Sequence, residues 1–156
     1  MKLSIAFCWI LAFTLSAFGQ SVPADWQVSL ERTPCFGMCP IYKVSVDADG
    51  TVTARDSHDE IFKSYLIPTL IDRLYKLSDP KTFLELDPDY LPSQECDGPF
   101  ETDHPSEVIS IRANGRFREF IRNKGCKPRP GTLLLRLIAL GDEIDRLTDD
   151  IFLKLP

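Results

Sequence analysis

Apolar and polar positions along this chain alternate in short runs that change twice to helical spacing. In "WQVSLER", Trp26, Val28 and Leu30 alternate with polar residues, the period of a half-buried strand, and Thr33-Pro34 ends it. "IYKVSVDADGTVTAR" reads as a hairpin around Asp49-Gly50. If Ala48, Asp49 and Gly50 form the loop, with Gly50 at positive φ, then Val46 faces Val52 and Val44 faces Ala54. A two-residue turn would set Val46 against Thr53 instead. The first register buries one coherent face and is preferred. After a polar stretch, "PTLIDRLYKL" places Leu70, Ile71, Leu74 and Leu77 at helical spacing, with Pro68 in the first turn. Asp79-Pro80 breaks this helix, and "KTFLEL" adds a turn or so. "EVISIRANGRFREFIR" repeats the hairpin pattern around Asn114-Gly115. Finally, "TLLLRLIALGDEIDRL" carries Leu133, Leu137, Leu140, Ile144 and Leu147 on one stripe, widened by Leu134 and Ile138, with Thr132 placed to N-cap it.

The order strand, strand, helix thus occurs twice. It predicts an α+β fold, an antiparallel sheet of four to five strands with two helices packed on one face. A single domain over residues 26–147 follows a linker at 20–25, and residues 148–156 read as a tail. From Asp87 to Ser106 the chain has no sustained period and several prolines. Loops of that length in compact domains tend to be functional or tied down.

The first residues change the picture of compartment. Lys2 is followed by an apolar run and then by small residues, with Ala17 and Gly19 at the positions a signal peptidase reads, so residues 1–19 are expected to be a signal peptide. The run falls short of the roughly 20 residues that span a bilayer, and no later segment is apolar enough to do so. Localisation is therefore expected to be exported, either periplasmic or secreted. Without Lys2, the 18 basic residues become 17 against 23 acidic ones, a net charge of −6. That balance argues against a nucleic-acid partner, which calls for clustered Lys and Arg. Cys8 leaves with the signal, and Cys35, Cys39, Cys96 and Cys126 remain. An even count in an oxidising compartment points to disulfides, and four cysteines allow three pairings. The preferred pairing joins Cys35 to Cys39 and Cys96 to Cys126; closing the second loop of about thirty residues contributes roughly 3 to 4 kcal/mol in the chain-entropy model.

"TPCFGMCPIYKVSVDADGTV", Thr102-Asp103, the Asn114-Gly115 hairpin and Gly125-Cys126 together resemble a group of exported bacterial proteins, domain-of-unknown-function family 6438. The resemblance runs from about Trp26 to about Leu147. Its most specific element is matched by Cys35, Phe36, Gly37, Cys39, Pro40 and Tyr42. It implies domain limits, export and bacterial origin, and carries no activity.

The chemistry the residues offer is sparse. Cys35-x-x-x-Cys39-Pro40 is similar to the copper-ligand motif of Sco-type chaperones, and Met38 and His104 supply a thioether and an imidazole. Copper handling is thus the alternative to a disulfide, although those chaperones have a different order of strands and helices. Acidic residues crowd the long loop (Asp87, Asp89, Glu95, Asp97, Glu101, Asp103, Glu107) without the ordered alternation of a calcium loop, and read as a solvated face. Thr102 and Asp103 read as local caps. His58 and His104 are the only histidines, and no serine sits in a nucleophile elbow, so no catalytic residues are assigned. Arg112, Arg116, Arg118 and Arg122 flank the second hairpin and read as a solvated strand face, with a binding patch for an acidic partner as the alternative; Arg112 and Arg116 are placed to meet across its turn. The expectation is a disulfide-stapled binding module without catalytic activity or cofactor, whose partner is a protein or an envelope component.

Overall fold

The computed structural model describes residues 21–99 and 103–152. The expected signal peptide, Glu101, Thr102 and residues 153–156 lie outside the described residues. Six strands form one sheet: β1 (Gln27–Arg32), β2 (Tyr42–Asp47), β3 (Thr51–Asp56), β4 (Ile61–Tyr65), β5 (Ser106–Ala113) and β6 (Arg116–Asn123). Their order is β4-β3-β2-β1-β5-β6, and every neighbouring pair is antiparallel. Helices α1 (Pro68–Ser78), the short α2 (Pro80–Phe83) and α3 (Leu133–Phe152) cover one face. Among the described residues, no helix is long and apolar enough to cross a membrane.

The sheet has one strand more than expected. The extra strand, β4, lies at the edge, and none of its residues is fully buried, so it lacks the strong alternation that marks a covered strand. What places it is the preceding turn. Asp56 accepts the amides of His58 (2.8 Å) and Glu60 (2.9 Å), and Asp59 takes a positive φ of 63°, returning the chain against β3.

Both hairpins follow their turn residues. Val46 pairs with Val52 and Val44 with Ala54, as a three-residue loop requires, and Gly50 has a φ of 86°. Gly50 also has no room for a side chain: an added Cβ would lie 2.8 Å from both Ile71 Cδ1 and the Leu66 carbonyl oxygen. In the second hairpin, Asn114 and Gly115 both have positive φ, 54° and 71°, and Ala113 pairs with Arg116. The Asp25 carboxylate accepts the amides of Asn114 (2.9 Å) and Gly115 (2.6 Å), tying the start of the domain to this turn.

Between sheet and helices lies one apolar core. Val28, Leu30, Val44, Val46, Val52, Ala54, Ile109, Ile111 and Phe120 face Ile71, Leu74, Leu137, Leu140 and Ile144. The buried Trp26 indole donates to Ser78 Oγ (3.1 Å) and meets the Tyr75 ring edge-on, while Phe83 packs edge-on against Phe120.

The long loop is tied down. Cys96 and Cys126 form a disulfide, flanked by backbone bonds from Asp97 to Lys127 (2.7 Å) and from Arg129 to Glu95 (3.0 Å). The Glu95 carboxylate accepts the Tyr90 hydroxyl (3.0 Å) and the Leu134 amide (2.6 Å). Glu95 therefore caps α3, where Thr132 was expected; the Thr132 hydroxyl instead donates to the Arg129 carbonyl (2.8 Å). Helix α3 continues to Phe152, so residues 148–152 of the expected tail are helical.

Asp79 joins α1 to α2 at a φ of 29°, and its carboxylate accepts Thr82 N (3.4 Å) and the Arg136 guanidinium of α3 (2.6 Å). Burial pushes its pKa up, but the hydrogen bonds from Thr82 and Arg136 outweigh that and hold it below the ordinary 3.8. A lowered carboxylate pKa gives stability that is present above the unfolded value and lost as pH falls through the folded one. Asp79→Asn is therefore expected to melt lower than the parent at pH 7 and to converge with it as pH drops below about 4. Thermal melts across pH check this, and a constant gap would show that the Asp79 charge is not responsible. Gly50→Ala is expected to lose roughly 1–3 kcal/mol of stability from the positive φ, with the contacts to Ile71 and Leu66 adding to the loss; urea unfolding measures it.

Candidate functional site

At one end of the sheet, charged and polar side chains replace the apolar ones on the helix-facing side. Strand register sets Tyr42 beside Arg32, Arg32 beside Glu107, and Glu107 beside Arg122. They form a row across β2, β1, β5 and β6. Arg32, Glu107 and Arg122 are all buried, Glu107 completely. Arg32 ion-pairs with Glu107 and with Asp145 of α3, and Tyr42 donates its hydroxyl to the same Asp145. Glu107 also receives Arg122 (2.6 Å) and Lys124 (3.4 Å). Helix α3 crosses this row at Gly141, where an added Cβ would lie 3.4 Å from a Glu107 carboxylate oxygen.

Among the described residues, Arg32, Arg122 and Lys124 make ion pairs with Glu107 and Asp145. Burial lowers the Arg122 pKa to about 10, with Asp142 opposing and Arg32 adding to the fall. Burial also lowers the Lys124 pKa, helped by Arg32 and Arg122. Burial thus disfavours the charged forms of Arg122 and Lys124, beside which a further negative charge would be welcome.

Above the row opens a cavity of about 250 Å³, lined by Arg32, Cys39, Pro40, Tyr42, Pro105, Lys124, Asp145 and Asp149. Its walls come from the cysteine loop, the chain entering β5, the end of β6, and α3. Cys35 and Cys39 are joined to each other, and Phe36 and Met38 between them stand fully exposed. A second, more open groove of about 860 Å³ lies between the Leu84–Leu91 segment and β6, and includes Arg116 and Arg118.

The residues singled out from sequence fall in several places. The four cysteines pair as 35 with 39 and 96 with 126. His104 directly precedes Pro105, which shares the cavity wall with Cys39. Among the described residues, no group of three or more His, Cys, Asp or Glu side chains is placed to hold a metal. Sulfurs bonded to each other offer no thiolate, so copper would require the reduced loop. The four arginines do not form one patch. Arg112 pairs with Phe117 and lies over its ring (5.6 Å to the centroid) on the open face. Arg116 pairs with Ala113 and points to Glu85 (3.7 Å), so it does not meet Arg112 across the turn. Arg118 donates to the carbonyls of Leu86 and Asp87, and Arg122 is buried. Within the acidic run, Asp87, Asp89 and Asp103 are exposed, but Glu95 is a cap and Glu107 is the buried centre of the ion cluster.

Sequence reasoning did not single out Arg32, Asp145 or Asp149 and gave Lys124 no role of its own. One signal was present. Arg32 and Glu107 occupy the inward phase of their strands, in line with Val28 and Leu30 and with Ile109 and Ile111. A charge on the apolar phase of a strand is a buried charge, and a buried charge has partners.

Sheet, helices and paired cysteines define a small α+β domain with its concave site built around a disulfide loop. The model of the family Domain of unknown function (DUF6438) matches residues 26–147, and the chain belongs to that family. No curated protein matches the chain.

Removing Glu107 leaves Arg32 and Arg122 facing each other without their shared anion. Glu107→Ala is expected to lose about 3–5 kcal/mol, against less than about 1 kcal/mol for the half-exposed Lys124→Ala. Urea unfolding of the two variants decides the ranking; equal losses would contradict it.

Proposed function

We propose that this chain is an exported, disulfide-stapled binding module that works without a cofactor, and that the cavity beside the cysteine loop is its binding site. Export is supported by the leader-like first residues and by two cysteine pairs, which persist in oxidising compartments. The single observation that carries the binding reading is the cavity floor. Four distant chain segments converge on a buried cluster of paired charges that opens to solvent through Arg32, Lys124 and Asp145. Such clusters are expensive to desolvate, and a hydrophobic replacement often serves stability as well or better. Their presence at a concave site with an exposed loop on its rim therefore favours recognition over packing. At about 250 Å³ the cavity suits one side chain or chain end of a protein or envelope component.

The test is an amide-resolved NMR titration of the protein with small carboxylates, amines and short peptides. The largest shifts are expected at Cys39, Tyr42, Lys124 and Asp149, with loss of binding in Lys124→Ala. Shifts confined to the groove at Arg116 and Arg118 would transfer the site there and overturn the assignment.

A second reading keeps copper. It is favoured by Met38 standing fully exposed between the two sulfurs and by His104 adjoining the wall that Cys39 shares. It predicts one cuprous ion per reduced protein, lost in the Cys35→Ser, Cys39→Ser double variant. Full retention by that variant refutes it.

A further inference from the structure

We propose that the Cys35–Cys39 disulfide is a thiol–disulfide exchange site for a cysteine-bearing polypeptide, while Cys96–Cys126 is permanent structure. This adds to the binding reading without resting on it. It stands on how differently the two disulfides are held.

Cys96 and Cys126 lie 30 residues apart, Cys126 is 8% exposed, and backbone hydrogen bonds flank the pair on both sides. Opening that bond would release a long loop and uncover its neighbours, so the folded state opposes reduction. Cys35 and Cys39 lie four residues apart, and both are partly exposed. Among the described residues, no backbone hydrogen bond is made by residues 34–41. Their ring therefore constrains little of the fold, and the fold does little to protect it. Exposed disulfides whose opening does not disturb the fold are the labile ones.

The surroundings give the exchange a direction. Cys39 lines the cavity together with Lys124, Arg32, Tyr42, Asp145 and Asp149. Arg32 pairs with Asp145 and Lys124 with Glu107 (3.4 Å), while Asp149 is exposed; Lys124, its side chain 38% exposed, is the cation on this wall with freedom to turn toward a thiolate. A thiolate at Cys39 is stabilised there, which makes Cys39 the leaving sulfur. A partner thiolate attacks Cys35 Sγ, the Cys35–Cys39 bond breaks, and Cys39 departs as thiolate. The partner's second thiolate then attacks the partner sulfur of this mixed disulfide, closing the partner's own disulfide and releasing Cys35. The partner loses two electrons, the loop gains two, and the two partner thiol protons end on Cys35 and Cys39. Phe36 and Met38, fully exposed inside the ring, supply an apolar contact suited to a polypeptide rather than to a small thiol.

The oxidised protein, equilibrated in glutathione buffers of graded potential, alkylated and peptide-mapped, tests the first part. Cys35–Cys39 is expected to open reversibly at a potential where Cys96–Cys126 stays closed, with circular dichroism unchanged. Lys124→Ala is expected to slow that reduction several-fold, and Cys39→Ser to trap glutathione on Cys35. A reduced two-cysteine peptide with leucine flanks is expected to be oxidised faster than glutathione at equal thiol concentration. The Phe36→Ser, Met38→Ser double variant is expected to lose that preference. Equal resistance of the two disulfides, or opening only together with unfolding, overturns the proposal. Selective opening without preference for the peptide overturns the polypeptide partner.

Discussion

Arg32 stands at an inward-facing position of β1, in line with Val28 and Leu30, and is almost wholly buried. A guanidinium there is tolerated only with anions on hand, and the fold supplies one from the neighbouring strand and one from the covering helix. Much of the sheet's far end follows from that requirement. Glu107 must point inward from β5, Asp145 must face the sheet from α3, and the helix must pass close enough for both, which Gly141 permits. Tyr42 completes the arrangement, because its hydroxyl shares Asp145 with Arg32 and so anchors the residue that follows the cysteine loop. Among the described residues the loop makes no backbone hydrogen bonds, and it takes its position from Pro40-Tyr42 and from its own disulfide.

Local chemistry was legible in the sequence wherever a turn or a period decided the outcome. Gly50 and Asn114-Gly115 set both hairpin registers, since few other residues adopt positive φ. The apolar stripes gave both longer helices. β4 escaped because an edge strand needs no buried side chain, and its signal was an aspartate turn at Asp56 rather than an alternation. Glu95 and Glu107 were absorbed into an acidic run because their partners, Leu134 and Arg32, come from distant parts of the chain. Compartment pointed to disulfides but left three pairings open, of which the structure has the preferred one, 35 with 39 and 96 with 126. The cavity could not be foreseen, as its walls come from four segments that only the sheet order β2-β1-β5-β6 brings side by side.

The ion cluster links the stability of this end of the sheet to the cysteine loop. Arg32, Arg122 and Lys124 share Glu107 and Asp145, Asp142 acts on Arg122 and Lys124, and the cluster meets solvent at the cavity lined by Arg32, Lys124 and Asp145. The same cluster fixes Tyr42 and hence the rim that carries Cys39, Phe36 and Met38. Loop and cluster are therefore coupled through a few named contacts rather than through the whole core.

Native-state hydrogen exchange on Glu107→Gln, which keeps the side-chain shape and removes the charge, tests that coupling most directly. Faster exchange is predicted at Tyr42 and neighbouring amides and along α3 from Gly141 to Asp149, with β3, β4 and α1 unchanged. Unchanged exchange at Tyr42 and α3, or a uniform increase over the whole domain, would contradict the view that the buried charge row holds this end of the molecule in place.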